Sequence, residues 1–131
     1  MVVIWAVGGV LLWFANRALR QRRSLLFALS LVAIVALAWI ALGSHYVALQ
    51  GANVAPDANG YGAVLYTILA WHGLHVVVVT LAIGYTLARL WAGLMSHEHR
   101  VTFDNTRLLW YCAAAEAIVS MLVIHAPRVV G

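Results

Sequence analysis

The chain has 131 residues, 65% of them hydrophobic and only 9% charged, with a formal net charge of +4. Apolar stretches of membrane-spanning length recur along it, which argues against a soluble domain and for a polytopic membrane protein. The charge comes from eight arginines and no lysine, with no basic run interleaved with aromatics, so nucleic-acid binding is not indicated. The single cysteine, Cys112, leaves no internal disulfide and no CxxC-type metal site, and it reads as a small packing residue in a span.

The first predicted span covers residues 2–15, reaching 18 if Asn16 and Arg17 lie at the interface. It starts at the initiator methionine without a basic n-region and is followed by arginines, which argues against a cleaved signal peptide. A short polar turn with Arg20, Arg22 and Arg23 leads to a second span at 25–46. The longest polar stretch, 47–59, holds Pro56, Asp57 and Asn59 and reads as a loop. The third span, 61–91, is about 46 Å long at ~1.5 Å per residue, so it must tilt or project past a hydrocarbon core of ~30 Å. A polar link at 96–107 precedes a fourth span at 108–123.

Arg17, Arg20, Arg22 and Arg23 lie in the first connection, and Arg89, Arg100 and Arg107 flank or fill the third. Only Arg128 lies at the C-terminus. The positive-inside rule then places both termini outside the cytoplasm. Trp5, Trp39, Trp91 and Tyr61 fall near span ends, where amphipathic rings favour the interface. No repeat or low-complexity tract is visible. The expectation is an all-α integral membrane bundle of four transmembrane helices, one unit over 1–131.

His72 and His75 lie in the third span, about 16 to 21 Å in from Tyr61 at ~1.5 Å per residue. Ionisable groups at that depth are costly and normally face protein. Glu116 is the only acid in any predicted span, about 12 Å along the fourth from Leu108 at ~1.5 Å per residue, and so at a comparable depth. If the two hairpin-linked helices pack together, Glu116 can bond one of the histidines, with Gly73, Ala113, Ala114 and Ala115 allowing close approach. The contact is either a polar clasp, the expected reading, or an element of a proton relay. A b-type haem needs histidines at one depth on different helices. His45 and His125, near the outer ends of spans two and four, or else the span-three pair His72 and His75, are the candidates for that alternative. His97-Glu98-His99 sits in a short link and reads as a solvated or headgroup-facing patch. No Walker loop, Ser/His/Asp arrangement or carboxylate pair is present, so neither a catalytic centre nor a metal site is expected on this chain. A transporter has little support, because no span is broken by Gly and Pro.

The third span and its exit resemble subunit III of the haem-copper respiratory oxidases (cytochrome c oxidase subunit III). The family opens its sixth helix with Tyr-Gly, continues through aromatic-His-Gly-Leu-His-Val, and places an arginine at the cytoplasmic end before a Ser-Glu/Asn-His-His-x-Gly-Phe link. Here Tyr61-Gly62, Trp71-His72-Gly73-Leu74-His75-Val76, Arg89 and the stretch from His97 to Phe103 correspond. Ala15-Asn16-Arg17-Ala18-Leu19 is similar to the Ala-His-His-x-Leu of the fourth helix. Leu42-Gly43-Ser44-His45-Tyr46 replaces a Gln-Ala-x-Glu-Tyr, and Trp110-Tyr111 is similar to the start of the last helix, with Glu116 the counterpart of its aspartate. The helix directions of the family agree with those read from the arginines.

The resemblance spans helices four to seven, the C-terminal half of a full subunit III. It implies a non-catalytic subunit of a terminal oxidase in the bacterial inner membrane, with both termini periplasmic. Such a subunit supports oxygen reduction and proton pumping by packing, lipid binding and help with proton uptake. Haem and copper would reside in the partner catalytic subunit I, with none on this chain. Bound phospholipid is expected, with Arg89, Trp91, His97, His99 and Arg100 at the headgroups and His72, His75 and Glu116 as the clasp. Accessory subunits of quinol oxidase or nitric oxide reductase are the related alternatives, and a small membrane cytochrome b is the rival from another class.

Overall fold

The computed structural model describes residues 2–53, 55, 57, 60–95 and 99–125, with side chains described within 3–122. Four helices follow one another: α1 (Val2–Arg20), α2 (Ser24–Gly51), α3 (Gly60–Trp91) and α4 (Val101–His125). No strand occurs among the described residues, so the fold is an all-α membrane bundle. By length and apolar character α1, α2 and α3 can each cross a bilayer. α4 has 25 residues and carries Asp104, Arg107 and Glu116. It begins seven residues before the predicted span, because its first two turns are a polar helix start rather than a link.

Consecutive helices pack side by side, and a narrower contact between α4 and α1 closes the ring. Each helix buries one stripe at alternating spacings of three and four: Trp5, Gly8, Leu12, Ala15 and Leu19; Phe27, Leu31, Ile34, Ala38 and Ala41; His72, Val76, Val79, Ile83 and Thr86; Phe103, Thr106, Trp110, Ala113 and Ala117. That is the spacing of a coiled-coil seam, in which knobs from one helix enter holes of the next. The outward faces are just as apolar, with Trp13, Phe14, Leu25, Val32, Ile40, Leu74 and Leu81 exposed. In a bilayer such faces meet lipid, so hydropathy alone does not distinguish inside from outside.

The connections end helices by backbone geometry. α1 closes with Arg23 N–H on the Ala18 carbonyl (2.9 Å) and Arg22 N–H on Leu19 (3.2 Å), with Arg22 left-handed at φ 56°. α3 repeats the motif with Leu94 on Arg89 (3.0 Å), Gly93 on Leu90 (3.1 Å) and Gly93 at φ 70°. Both are Schellman closures, which satisfy carbonyls that a helix end would otherwise leave orphaned.

Near this end of the bundle Phe27 and Phe103 meet edge to face at 5.0 Å. The hydroxyls of Thr86 and Thr106 lie 3.1 Å apart in the core, each also within reach of the carbonyl four residues back. Buried hydroxyls thus find partners without water. On the α2–α3 side Trp39 Nε1 donates to Thr80 Oγ1 at 3.1 Å.

Two expectations are corrected here. Trp5 is not an interface ring; it is 5% exposed, because its position falls on the buried stripe of α1. Cys112 is exposed rather than packed, one position short of the stripe residue Ala113.

Candidate functional site

The middle of α3 and α4 brings an imidazole to a carboxylate. Nδ1 of His75 lies 3.0 Å from Oε2 of Glu116, with the two side chains 28% and 22% exposed. The match follows from helical rise. His75 is about 24 Å from the Trp91 end of α3, and Glu116 about 22 Å from the Val101 start of α4, at ~1.5 Å per residue. The same Nδ1 is 3.1 Å from the carbonyl of Trp71 one turn back. A ring nitrogen carries at most one proton, so these two acceptors compete for it. Oε2 is itself buried and lacks an aligned hydrogen bond among the described residues. The contact therefore has ion-pair distance without an in-line hydrogen bond. Trp71 stacks edge to face on His75 at 5.3 Å, covering its outer side.

His72 does not join that contact. Three residues on a helix with 3.6 per turn differ by about 60° in direction, enough to turn His72 into the core while His75 faces the α3–α4 groove. His72 is 5% exposed and packs edge to face on Trp5 of α1 at 5.2 Å and on His45 of α2 at 5.7 Å. Its Nε2 is buried and without a hydrogen-bond partner among the described residues, as is Trp5 Nε1. Trp5 in turn leans on Trp110 of α4 at 4.9 Å. The indole of Trp110 occupies the place of a side chain at Gly8, where an added Cβ would lie only 2.8 Å from its Cε2. Gly73, expected to ease the α3–α4 approach, instead faces Leu42 of α2.

The His45–His72 pair escaped the sequence because α2 continues to Gly51, five residues past the predicted span. His45 thus sits about 9 Å from the C-terminal end of α2, and His72 about 18 Å from the N-terminal end of α3, at ~1.5 Å per residue. Depth counting from the predicted ends had set His45 apart, at the outer rim with His125. These two histidines are on different helices and meet edge to face. The side chain of His125 lies outside the described residues. Among the described residues no group of three or more His, Cys, Asp or Glu side chains is placed to hold a metal ion.

The remaining candidates gather at the other end. Arg89 donates to Thr102 Oγ1 at 3.1 Å and lies over the ring of Tyr85 at 6.0 Å, tying α3 to α4. Arg100 forms a two-pronged bond to Asp104 at 3.0 and 3.1 Å, and Arg107 approaches the same carboxylate at 3.5 Å. Trp91 is 79% exposed at the end of α3, and His99 is exposed before α4. His97 lies outside the described residues.

The family model for cytochrome c oxidase subunit III matches residues 1–125, through all four helices. The chain belongs to the cytochrome c oxidase subunit III family. It is 27% identical over 104 residues to cytochrome c oxidase subunit 3 of Aegilops columnaris, covering 79% of this chain and 39% of that protein. The same subunit of Vicia faba is 26% identical over 109 residues, covering 83% and 41%, and that of Yarrowia lipolytica 24% over 110 residues, covering 84% and 40%. The chain thus spans about 40% of the length of these curated relatives. Within a subunit III frame, the mid-helix His75–Glu116 contact joins the last two helices, and the Trp5–His72–His45 cluster joins the first three.

Proposed function

We propose that this chain is a non-catalytic membrane subunit of a haem-copper terminal oxidase, supporting oxygen reduction and proton pumping by a catalytic partner. The observation that carries the reading is the family match through all four helices. In this role the chain supplies helix packing, lipid binding and support for proton uptake, while haem and copper belong to subunit I. All four helices cross the membrane, with the arginines of the α1–α2 and α3–α4 connections on the cytoplasmic side and both termini periplasmic. His75 and Glu116 act as a clasp between α3 and α4. Their partial exposure at mid-depth is expensive against lipid, which favours a protein neighbour over that groove. Arg89, Arg100, Trp91 and His99 face headgroups.

The test is to purify the chain from native membranes under mild detergent and identify what accompanies it. A haem-copper subunit I in equal amount, with oxygen consumption in the purified complex, is the expected result. Recovery of the chain alone, or with a haem of its own and a Soret band after separation from all partners, overturns it. A reporter fused after Gly131 should behave as periplasmic. A cytoplasmic reporter would reverse the helix order.

A further inference from the structure

The His75–Glu116 pair spans two helices and stays open on its outer side. The two side chains keep 28% and 22% of their surface, and Oε2 has no aligned hydrogen bond among the described residues. The face around them is exposed and layered. On α3, Trp71 and Val78 lie one turn to either side of His75; on α4, Cys112 and Val119 flank Glu116 in the same way. Consecutive helices packed side by side run in opposite directions, so Trp71 shares a layer with Val119, and Val78 shares one with Cys112.

In a bilayer this face meets lipid, an unrelated helix or a second copy. Lipid would leave two ionisable groups against hydrocarbon at mid-depth, which is costly. An unrelated helix pair would need its own acid opposite His75 and its own imidazole or other donor opposite Glu116, at one depth and in reversed lateral order. A second copy meets that requirement by symmetry. Copies inserted the same way round are related by a two-fold axis along the membrane normal, which keeps each residue at its depth and exchanges left for right. His75 of each copy then faces Glu116 of the other. The flanking layers match as well: Trp71 meets Val119, and Val78 meets the small Cys112, which permits close approach. Self-complementary contact of this kind is the pattern of two-fold dimers, the commonest oligomers. We propose that the α3–α4 face binds a second copy of this chain, the two His75–Glu116 pairs closing on each other across a two-fold axis. The inference rests on the membrane-spanning reading of α3 and α4 but not on the oxidase role.

Two versions of the full chain, each with its own C-terminal epitope, are expressed together with p-benzoylphenylalanine in place of Trp71, an aromatic for an aromatic on the exposed face. Irradiation of the membranes should join the two versions in an adduct of twice the chain mass, with the linked peptide within residues 112–122. The same probe in place of Leu29, exposed on α2, should not join them. Glu116→Leu should lower the Trp71 adduct about tenfold, since each polar contact between membrane helices contributes about threefold and the two-fold axis loses two at once. An adduct with a different protein assigns the face to that protein and overturns the proposal. Attachment to lipid alone, no adduct, equal joining from Leu29, or a yield untouched by Glu116→Leu overturns it too. If the Trp71 variant does not accumulate, the probe in place of Val119 gives the same decision, with linkage expected within residues 71–78. Co-purification of a subunit I without any joined copies would leave the oxidase reading standing and the dimer refuted.

Discussion

Nδ1 of His75 stands 3.0 Å from Oε2 of Glu116, yet it is 3.1 Å from the Trp71 carbonyl as well, and one N–H serves only one of them at a time. The pair is thus close but not locked. Polar contacts between membrane helices typically contribute about 0.6 to 2 kcal/mol. A double-mutant cycle on His75→Ala and Glu116→Ala, followed by unfolding in mixed micelles, should return a coupling in that range. Additive single-mutant effects would show that the proximity has no energetic content.

Gly8 and Trp110 set the distance between α1 and α4, the narrowest contact of the ring. Gly8→Ala forces a methyl into the indole and should destabilise the bundle by about 1 to 3 kcal/mol, the usual cost of overpacking. Adding Trp110→Leu to Gly8→Ala should recover part of that loss. An unaltered unfolding midpoint for Gly8→Ala would mean that α1 can move away freely.

The two Schellman closures differ in the residue that takes the left-handed position. Glycine does so without steric cost, whereas other residues lose roughly 1 to 2 kcal/mol. Gly93→Ala should therefore destabilise the α3 end by about 1 kcal/mol. Arg22→Gly should stabilise the α1 end by about 0.5 kcal/mol once the added freedom of the unfolded chain is subtracted. Micelle unfolding of the two variants checks both signs, and effects of the same sign would contradict the account.

Helix number, order and the mid-depth meeting of α3 with α4 were legible because they rest on lengths. His75 and Glu116 could be matched by counting rises from the connections, and both sides of that count are well marked by arginines. Facing was not legible. In α2 the exposed Leu29 and Val32 are as apolar as the buried Leu31 and Ile34, so no pattern reveals which side turns inward. For the same reason no pattern shows that Trp5 turns inward and Cys112 outward. The His45–His72 contact was hidden for a different reason: it depends on five extra residues of α2, and sequence is least informative about helix ends. Gly8, with an indole in the place of its side chain, carried no signal beyond being a small residue in a span.

The core threonines provide a cleaner measure of polar packing. Thr86 and Thr106 are 3.1 Å apart and buried, and either can donate to the other while the second keeps its bond to its own helix. Thr106→Val removes one hydroxyl at nearly constant shape and should cost about 0.5 to 1.5 kcal/mol, the net worth of one such bond. Thr86→Val/Thr106→Val should cost less than the sum of the two single changes, since either single change already removes the bond the two residues share. Equality of the double effect with the sum would separate the two residues.

Glu116→Gln separates the clasp from a proton carrier. The amide keeps size and hydrogen-bonding capacity toward His75 but cannot ionise. If Glu116 is a clasp within an oxidase, complexes carrying Glu116→Gln should assemble in somewhat reduced yield and consume oxygen at a near-normal initial rate per assembled complex. The redox centres would lie in the partner, and a lost helix contact lowers the amount of complex rather than its chemistry. His75→Ala should act in the same direction, since it leaves Glu116, in the middle of α4, without its nearest partner. Initial turnover should be measured per haem, so that assembly and chemistry are read separately. A fully assembled Glu116→Gln complex with no initial turnover would make the carboxyl group an obligatory proton carrier.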